Sequence, residues 1–304
     1  GQLDVVDADA VFTRILRQCV AALHRDRLVG LLRRCRRLVL RQILGTLRLE
    51  VRRSLLSRRA FAVYFLAFAP VALVALWAVS PFPQREFDGV LEAQTLFAVM
   101  FEAYLRVSIF FSALFLFVNL FRAEILEKSL HYYFLAPVRR EVVAAGKYLA
   151  ALLVGCAMFL LSTTVLFFLT VLPWGASAAT GYVFGGPGLG NLLAYLGVVV
   201  LAFAGYGAIF LVIGLVFRNP VIPAAVLWLW EAANLLLPPL LKRFSVVFYL
   251  QSLYPVPLTR SLFEVVAEPP PAWIAVIGGI LVTAAVLAIA GWRVRSMEVN
   301  YGGE

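Results

Sequence analysis

Charge is scarce in this chain: only 14% of its 304 residues are Asp, Glu, Lys or Arg, against 62% hydrophobic residues. That balance excludes an ordinary soluble domain, where about a quarter of residues are charged. Cysteine and histidine are scarcer still. Cys19, Cys35 and Cys156 show neither pairing nor metal-ligand spacing and read as reduced packing residues. His24 and His131 lie far apart without Cys or Asp neighbours, so no metal site is expected. A Ser/His/Asp or paired-carboxylate constellation is also missing, as is any Gly-x-x-x-x-Gly-Lys-Ser/Thr loop for ATP. The expectation is a chain that is not an enzyme, has no ATPase motif and binds no cofactor of its own.

What the chain has instead is long apolar runs. A helix needs about 20 apolar residues to cross about 30 Å of hydrocarbon, and six runs qualify: about 60–79, 97–121, 148–172, 191–217, 220–238 and 272–292. The fold class expected is an all-α polytopic membrane protein with six transmembrane helices. Gly1 in place of Met points to a trimmed start; no signal peptide is expected, and the first span is expected to act as the insertion signal.

The formal charge of +10 has one main source. Residues 1–59 hold 14 Arg and no Lys against five acidic residues, so they supply +9 of it. Their Arg clusters (Arg33, Arg34, Arg36, Arg37) alternate with Leu31, Leu32, Cys35 and Leu38 near helical period. This is the pattern of a basic amphipathic helix in the membrane interface, expected over 11–57 with breaks near Gly30 or Gly45. Each basic residue at an anionic leaflet contributes about 1 kcal/mol. A nucleic-acid helix is the other reading of such a charge, but it has no need of the apolar stripe, so membrane lipids and no nucleic acid are the expected partners.

Arg and Lys also set the sidedness. With the N-terminus inside, the cytoplasmic segments hold that block plus Arg122, Lys128, Arg139, Arg140, Lys147, Arg218, Arg293 and Arg295; the outside holds Arg85, Lys242, Arg243 and Arg260. Both termini are therefore expected in the cytoplasm, with the protein in the cell (inner) membrane. Residues 173–190, with the run Gly185-Gly186-Pro187-Gly188-Leu189-Gly190, read as an external loop. Residues 239–271 are too polar for a span and too apolar for a free loop, and read as a re-entrant or interfacial pair of short helices.

The stretch 124–147 is a charged insert between two spans. Glu124, Glu127 and Lys128 lie within one turn, Leu130, Phe134 and Leu135 repeat at helical spacing, and Pro137 ends the helix. Its acidic start and basic end (Arg139, Arg140, Lys147) suit the helix dipole on a cytoplasmic face. The run Glu127-Lys128-Ser129-Leu130, then Leu135-Ala136-Pro137-Val138-Arg139-Arg140, then Gly146-Lys147, resembles the first cytoplasmic loop of type-2 ABC exporter permeases. That family has Gly, Thr and Ser where this chain has Lys128, Ser129 and Arg139; the spacing is kept. The resemblance covers about residues 60–300.

The resemblance implies a transmembrane permease domain over 60–304, with a coupling loop at 122–147 that docks on a separate cytosolic ABC ATPase, and a basic interfacial segment at 1–59 before it. It implies ATP and Mg on that partner, docking through Glu124, Glu127, Ser129, Leu130, Tyr133, Pro137 and Arg140, and a second permease copy or paralogue to complete a dimer. It also implies an outer re-entrant hairpin at 239–271, entered at Leu236-Leu237-Pro238-Pro239, and export as the direction. An ATP-independent secondary transporter is the alternative, and a membrane-embedded enzyme a third.

Three polar features stand out inside the spans. Glu231, flanked by Trp228, Trp230 and Asn234, costs about 2.5–3.5 kcal/mol near a bilayer centre. It reads either as a polar point on a substrate pathway, with Asn234 one turn on as its partner, or as a structural carboxyl that an apolar residue would replace without loss. Glu102 and Arg106, four apart in the favourable order, read as a local ion pair or as part of an outer gate. Ser162, Thr163 and Thr164 read as residues bonding back to the helix or across to a neighbour.

Overall fold

Apolar runs without water to hydrogen-bond their backbones must satisfy them internally, and helices do so within one segment. The computed structural model describes residues 58–81, 89–126, 140–256 and 269–295, with Gly45 and Val51. Among the described residues every regular element is a helix and none is a strand. They are α1 (Arg58–Val79), α2 (Val90–Tyr104), a π-helical turn (Leu105–Ile109), α3 (Phe110–Leu126), α4 (Arg140–Val171) and α5 (Gly175–Gly185). The chain continues through α6 (Gly188–Val216), α7 (Val221–Ala232), α8 (Pro239–Lys242), α9 (Val246–Gln251) and α10 (Ala272–Arg295).

Five helical stretches are long and apolar enough to cross a membrane: Ala60–Val79, Val90–Leu120, Val142–Gly185, Gly188–Val216 and Ala272–Arg295. This is a multi-pass helical architecture. The expected span over 220–238 is different. Its helix, α7, has 12 residues, about 18 Å at 1.5 Å per residue, against about 30 Å of hydrocarbon. A 3₁₀ turn (Ala233–Leu235) and then Pro238 and Pro239 stop it. The segment expected as an external loop at 173–190 is also different: most of it is α5. Ala176, Ala178 and Ala179 favour helix, and the glycines act only at its ends, Gly175 with φ 84° and Gly186 extended. Of the segment 239–271, the described residues hold two short helices, α8 and α9, and residues 257–268 lie outside the described residues. The N-terminal segment over 11–57 lies outside the described residues but for Gly45 and Val51.

Helix α6 is the centre, packed against α3, α4 and α10. It reaches α3 through small residues. A Cβ on Gly207 would lie 2.5 Å from the Phe117 ring, and one on Gly214 would lie 2.8 Å from the Val118 carbonyl oxygen. Close backbone approach of this kind is how helices associate in lipid, where apolar burial gives no driving force. Ring pairs fill the rest of the core: Phe97 and Phe101 stand against Tyr195, and Phe110 against Phe210. By contrast α10 buries only Ala275, Ala290 and Val294, and its Trp273, Ile277, Leu281 and Trp292 are exposed.

Gly214 gives a direct test of that contact, since backbone cannot yield as a side chain does. Gly214→Val is expected to cost about 1–3 kcal/mol through overpacking. Gly197→Ala, where an added Cβ meets nothing within 4 Å, should leave the melting temperature of the detergent-solubilised protein at or above its original value.

Candidate functional site

The π-helical turn interrupts the second span beside its charged pair. A π turn lengthens the hydrogen-bonding loop to i→i+5, widens the helix and recurs at functional sites. The carbonyl of Arg106, inside this turn, accepts from the Trp228 indole N–H on α7 at 3.2 Å. The Arg106 side chain turns the other way along the same contact. Its Nη1 donates to the Glu231 carbonyl at 2.7 Å, and its Nε donates to Glu102 Oε1.

Glu102 in turn collects α9 and the residues after it. Gln251 Nε2 donates to Glu102 Oε1 at 2.8 Å, and the Tyr254 hydroxyl donates to Oε2 at 2.7 Å. Both side chains of the ion pair are mostly buried. The pair is therefore a junction between the second span and a segment about 150 residues later, beyond the local bridge that spacing alone suggests.

Glu231 completes the cluster. It is buried, near the C-terminus of α7. Ser245 Oγ donates to its Oε2 at 2.6 Å, and the backbone N–H groups of Val246 and Val247 donate to Oε1 and Oε2 at 2.9 and 3.1 Å. Ser245 is the N-cap of α9 and also accepts from Phe248 N at 3.4 Å. The first N–H groups of a helix have no partner within it, and here a carboxylate from another helix supplies one, in the favourable sense of the helix dipole.

Asn234 is buried, but it does not meet Glu231. Among the described residues its Oδ1 has no hydrogen-bond donor. The Ser162 and Thr164 hydroxyls bond backbone, Ser162 Oγ across to Ala67 O at 2.6 Å and Thr164 Oγ1 back to Leu160 O at 2.7 Å. Thr163 Oγ1 is buried without a partner among the described residues. The Tyr104 hydroxyl donates to Ser162 Oγ at 2.8 Å, joining α2, α4 and α1.

Of the residues expected to dock an ATPase, Glu124 falls in the last turns of α3 and Arg140 opens α4. Glu127, Ser129, Leu130, Tyr133 and Pro137 lie outside the described residues. The two helices that carry this loop are tied behind it: the buried Lys147 donates from Nζ to the Leu120 carbonyl at 3.2 Å. Leu120 lies inside α3, six residues before its end, so the bond ties the two helices together directly.

Sequence reasoning found Glu102, Arg106 and Glu231 but missed Ser245, Gln251 and Tyr254. Ser245 was the most accessible of these, as a capping residue immediately before the apolar run Val246-Val247-Phe248. Among the described residues no group of His, Cys, Asp and Glu is arranged to hold a metal. Comparison with protein-family models, with curated proteins and with solved structures matches none of them.

Proposed function

We propose that this chain is the transmembrane permease subunit of an ABC exporter, driven by ATP hydrolysis in a separate cytosolic subunit. The observation that carries the reading is the charged insert 124–147, with Glu127, Leu130, Pro137, Arg140 and Gly146-Lys147 at the spacing of a coupling loop. Its place between the long helices α3 and α4 supports the reading, because a push on the loop is delivered to both. Lys147 bonded to Leu120 makes the two bases of the loop one lever. Two permease chains, or this one and a relative, then form the pathway, with both termini in the cytoplasm.

In this reading the cluster of Glu102, Arg106 and Glu231 is the far end of the lever. It joins the π turn of the second span to α7 and α9, so a shift of α2 and α3 moves the short helices through directed hydrogen bonds. Asn234 stands as the pathway candidate, because its buried Oδ1 has no donor among the described residues, whereas both carboxylate oxygens of Glu231 are taken up by α9.

One observation favours a secondary transporter instead: α7 is a short, interrupted helix with an acidic residue beside the break, a feature of carriers that work without ATP. The two readings separate on the loop. Glu127→Lys combined with Leu130→Ala should lower coupling of ATP hydrolysis to transport at least tenfold while the permease still assembles. Transport that continues unchanged in this variant, or without ATP, supports the carrier.

A further inference from the structure

A cavity of about 360 Å³ lies between α6, α9 and α10, bounded by Gly205, Tyr249, Ile274, Gly278 and Val282, with Arg243 at its edge. Its walls are overwhelmingly apolar, and the few polar residues on them divide into two kinds. Two are already occupied: Ser245 Oγ donates to Glu231 at 2.6 Å, and Thr283 Oγ1 donates to the Gly279 carbonyl at 2.7 Å. Two are available. Arg243 is exposed and has no ion-pair partner among the described residues, and the Tyr249 hydroxyl has no hydrogen-bond partner among them. An apolar cleft of several hundred Å³ with a few convergent polar groups is the usual form of a ligand site.

The glycines keep the cleft open. A Cβ on Gly278 or Gly279 would meet nothing within 4 Å, and one on Gly205 would first meet Val246 Cγ1 at 3.9 Å. Lining residues on α10 run from Ile274 to Val286, twelve residues or about 18 Å of helix, more than half the depth of a hydrocarbon core. Ile274 and Val282 are also among the exposed residues of α10, so the cleft opens onto the helix's apolar outer surface. Trp273 and Trp292, both exposed, stand 19 residues or about 28 Å apart along that helix, the spacing of the two interfacial belts. The cleft therefore begins at one interface, where Trp273 lies next to Ile274, and descends into the apolar layer.

We infer that this cleft binds one acyl chain of an anionic phospholipid drawn from the bilayer, with the phosphate held by Arg243 and the Tyr249 hydroxyl. Arg presents a planar fork of donors suited to phosphate oxygens, and a basic residue at the interface favours anionic over zwitterionic headgroups. The inference does not depend on the ABC reading, since a secondary transporter with this fold has the same cleft.

The test uses the full chain in phosphatidylcholine nanodiscs doped with phosphatidylglycerol or phosphatidylcholine carrying a photoreactive acyl chain, with labelled peptides identified by mass spectrometry. The expected result is label on the peptides holding Tyr249 and residues 274–282, at least fivefold stronger for phosphatidylglycerol. Arg243→Gln should remove that preference, and Gly279→Leu should remove label from the cleft while leaving label on α1. Because Arg243 is exposed, its variant keeps the fold and decides the headgroup question. If Gly279→Leu does not assemble, Val282→Trp at an exposed position repeats the filling test. Equal labelling by the two headgroups in the unmodified protein, or cleft label that survives filling, overturns the inference.

Discussion

Replacing Glu231 by leucine is expected to destabilise the protein by about 3–5 kcal/mol and to free α9 from α7. The reason is the donors left behind. Ser245 Oγ, Val246 N–H and Val247 N–H all point at this carboxylate, and a leucine accepts from none of them. An unsatisfied buried donor costs about 1–3 kcal/mol. The desolvation argument that favours an apolar residue at a lone carboxyl does not hold for one that caps a helix. Glu231→Gln keeps one acceptor oxygen and should lose about half as much. Thermal melting in detergent and amide exchange at 246 and 247 measure both effects. A Glu231→Leu protein that melts at or above the original temperature, with those two amides still protected, would remove the carboxylate from this role.

Arg106→Met is the second large effect, expected to cost about 3–5 kcal/mol because it strands the mostly buried Glu102 without its counter-charge. Methionine keeps much of the side-chain length but has no donor for Glu102 or for the Glu231 carbonyl. Arg106→Lys should recover only part of the loss, since one ammonium does not reproduce a fork that reaches Glu102 through Nε and Glu231 O through Nη1. Adding Glu102→Gln to Arg106→Met should restore at least 1 kcal/mol relative to the sum of the single changes, because the stranded charge is gone. Additive losses in this double-mutant cycle would mean that the pair carries no coupling between the span and α9.

The long spans were legible in composition because lipid imposes a length and a polarity that only an apolar run of about 20 residues satisfies. Where the structure departs from that reading, the deciding forces are local. Residues 220–238 are apolar enough to cross, but Ala233–Leu235 tightens to 3₁₀ and Pro238 and Pro239 remove the donors that would continue the helix. Residues 173–190 have the glycines of a loop, but their alanines form α5 between them. The acidic and basic members of the polar cluster were visible because charge in an apolar run is costly, and the i,i+4 order of Glu102 and Arg106 announced their pairing. Gln251 and Tyr254 carried no such signal. Their partner lies 149 and 152 residues away, and only the folded arrangement of α2 against α9 brings them to it.

The central claim is that an ATP-hydrolysing chain drives this one through the loop at 122–147. Affinity purification of the full chain from its native membrane in mild detergent, followed by mass spectrometry and an ATP hydrolysis assay, tests it most directly. The account predicts a co-purifying chain with a phosphate-binding loop, in one-to-one ratio with the permease, whose ATP hydrolysis is retained, and whose association falls at least tenfold in the Glu127→Lys, Leu130→Ala variant. A chain that purifies without any nucleotide-hydrolysing partner, or a partner held equally well by that variant, would contradict it.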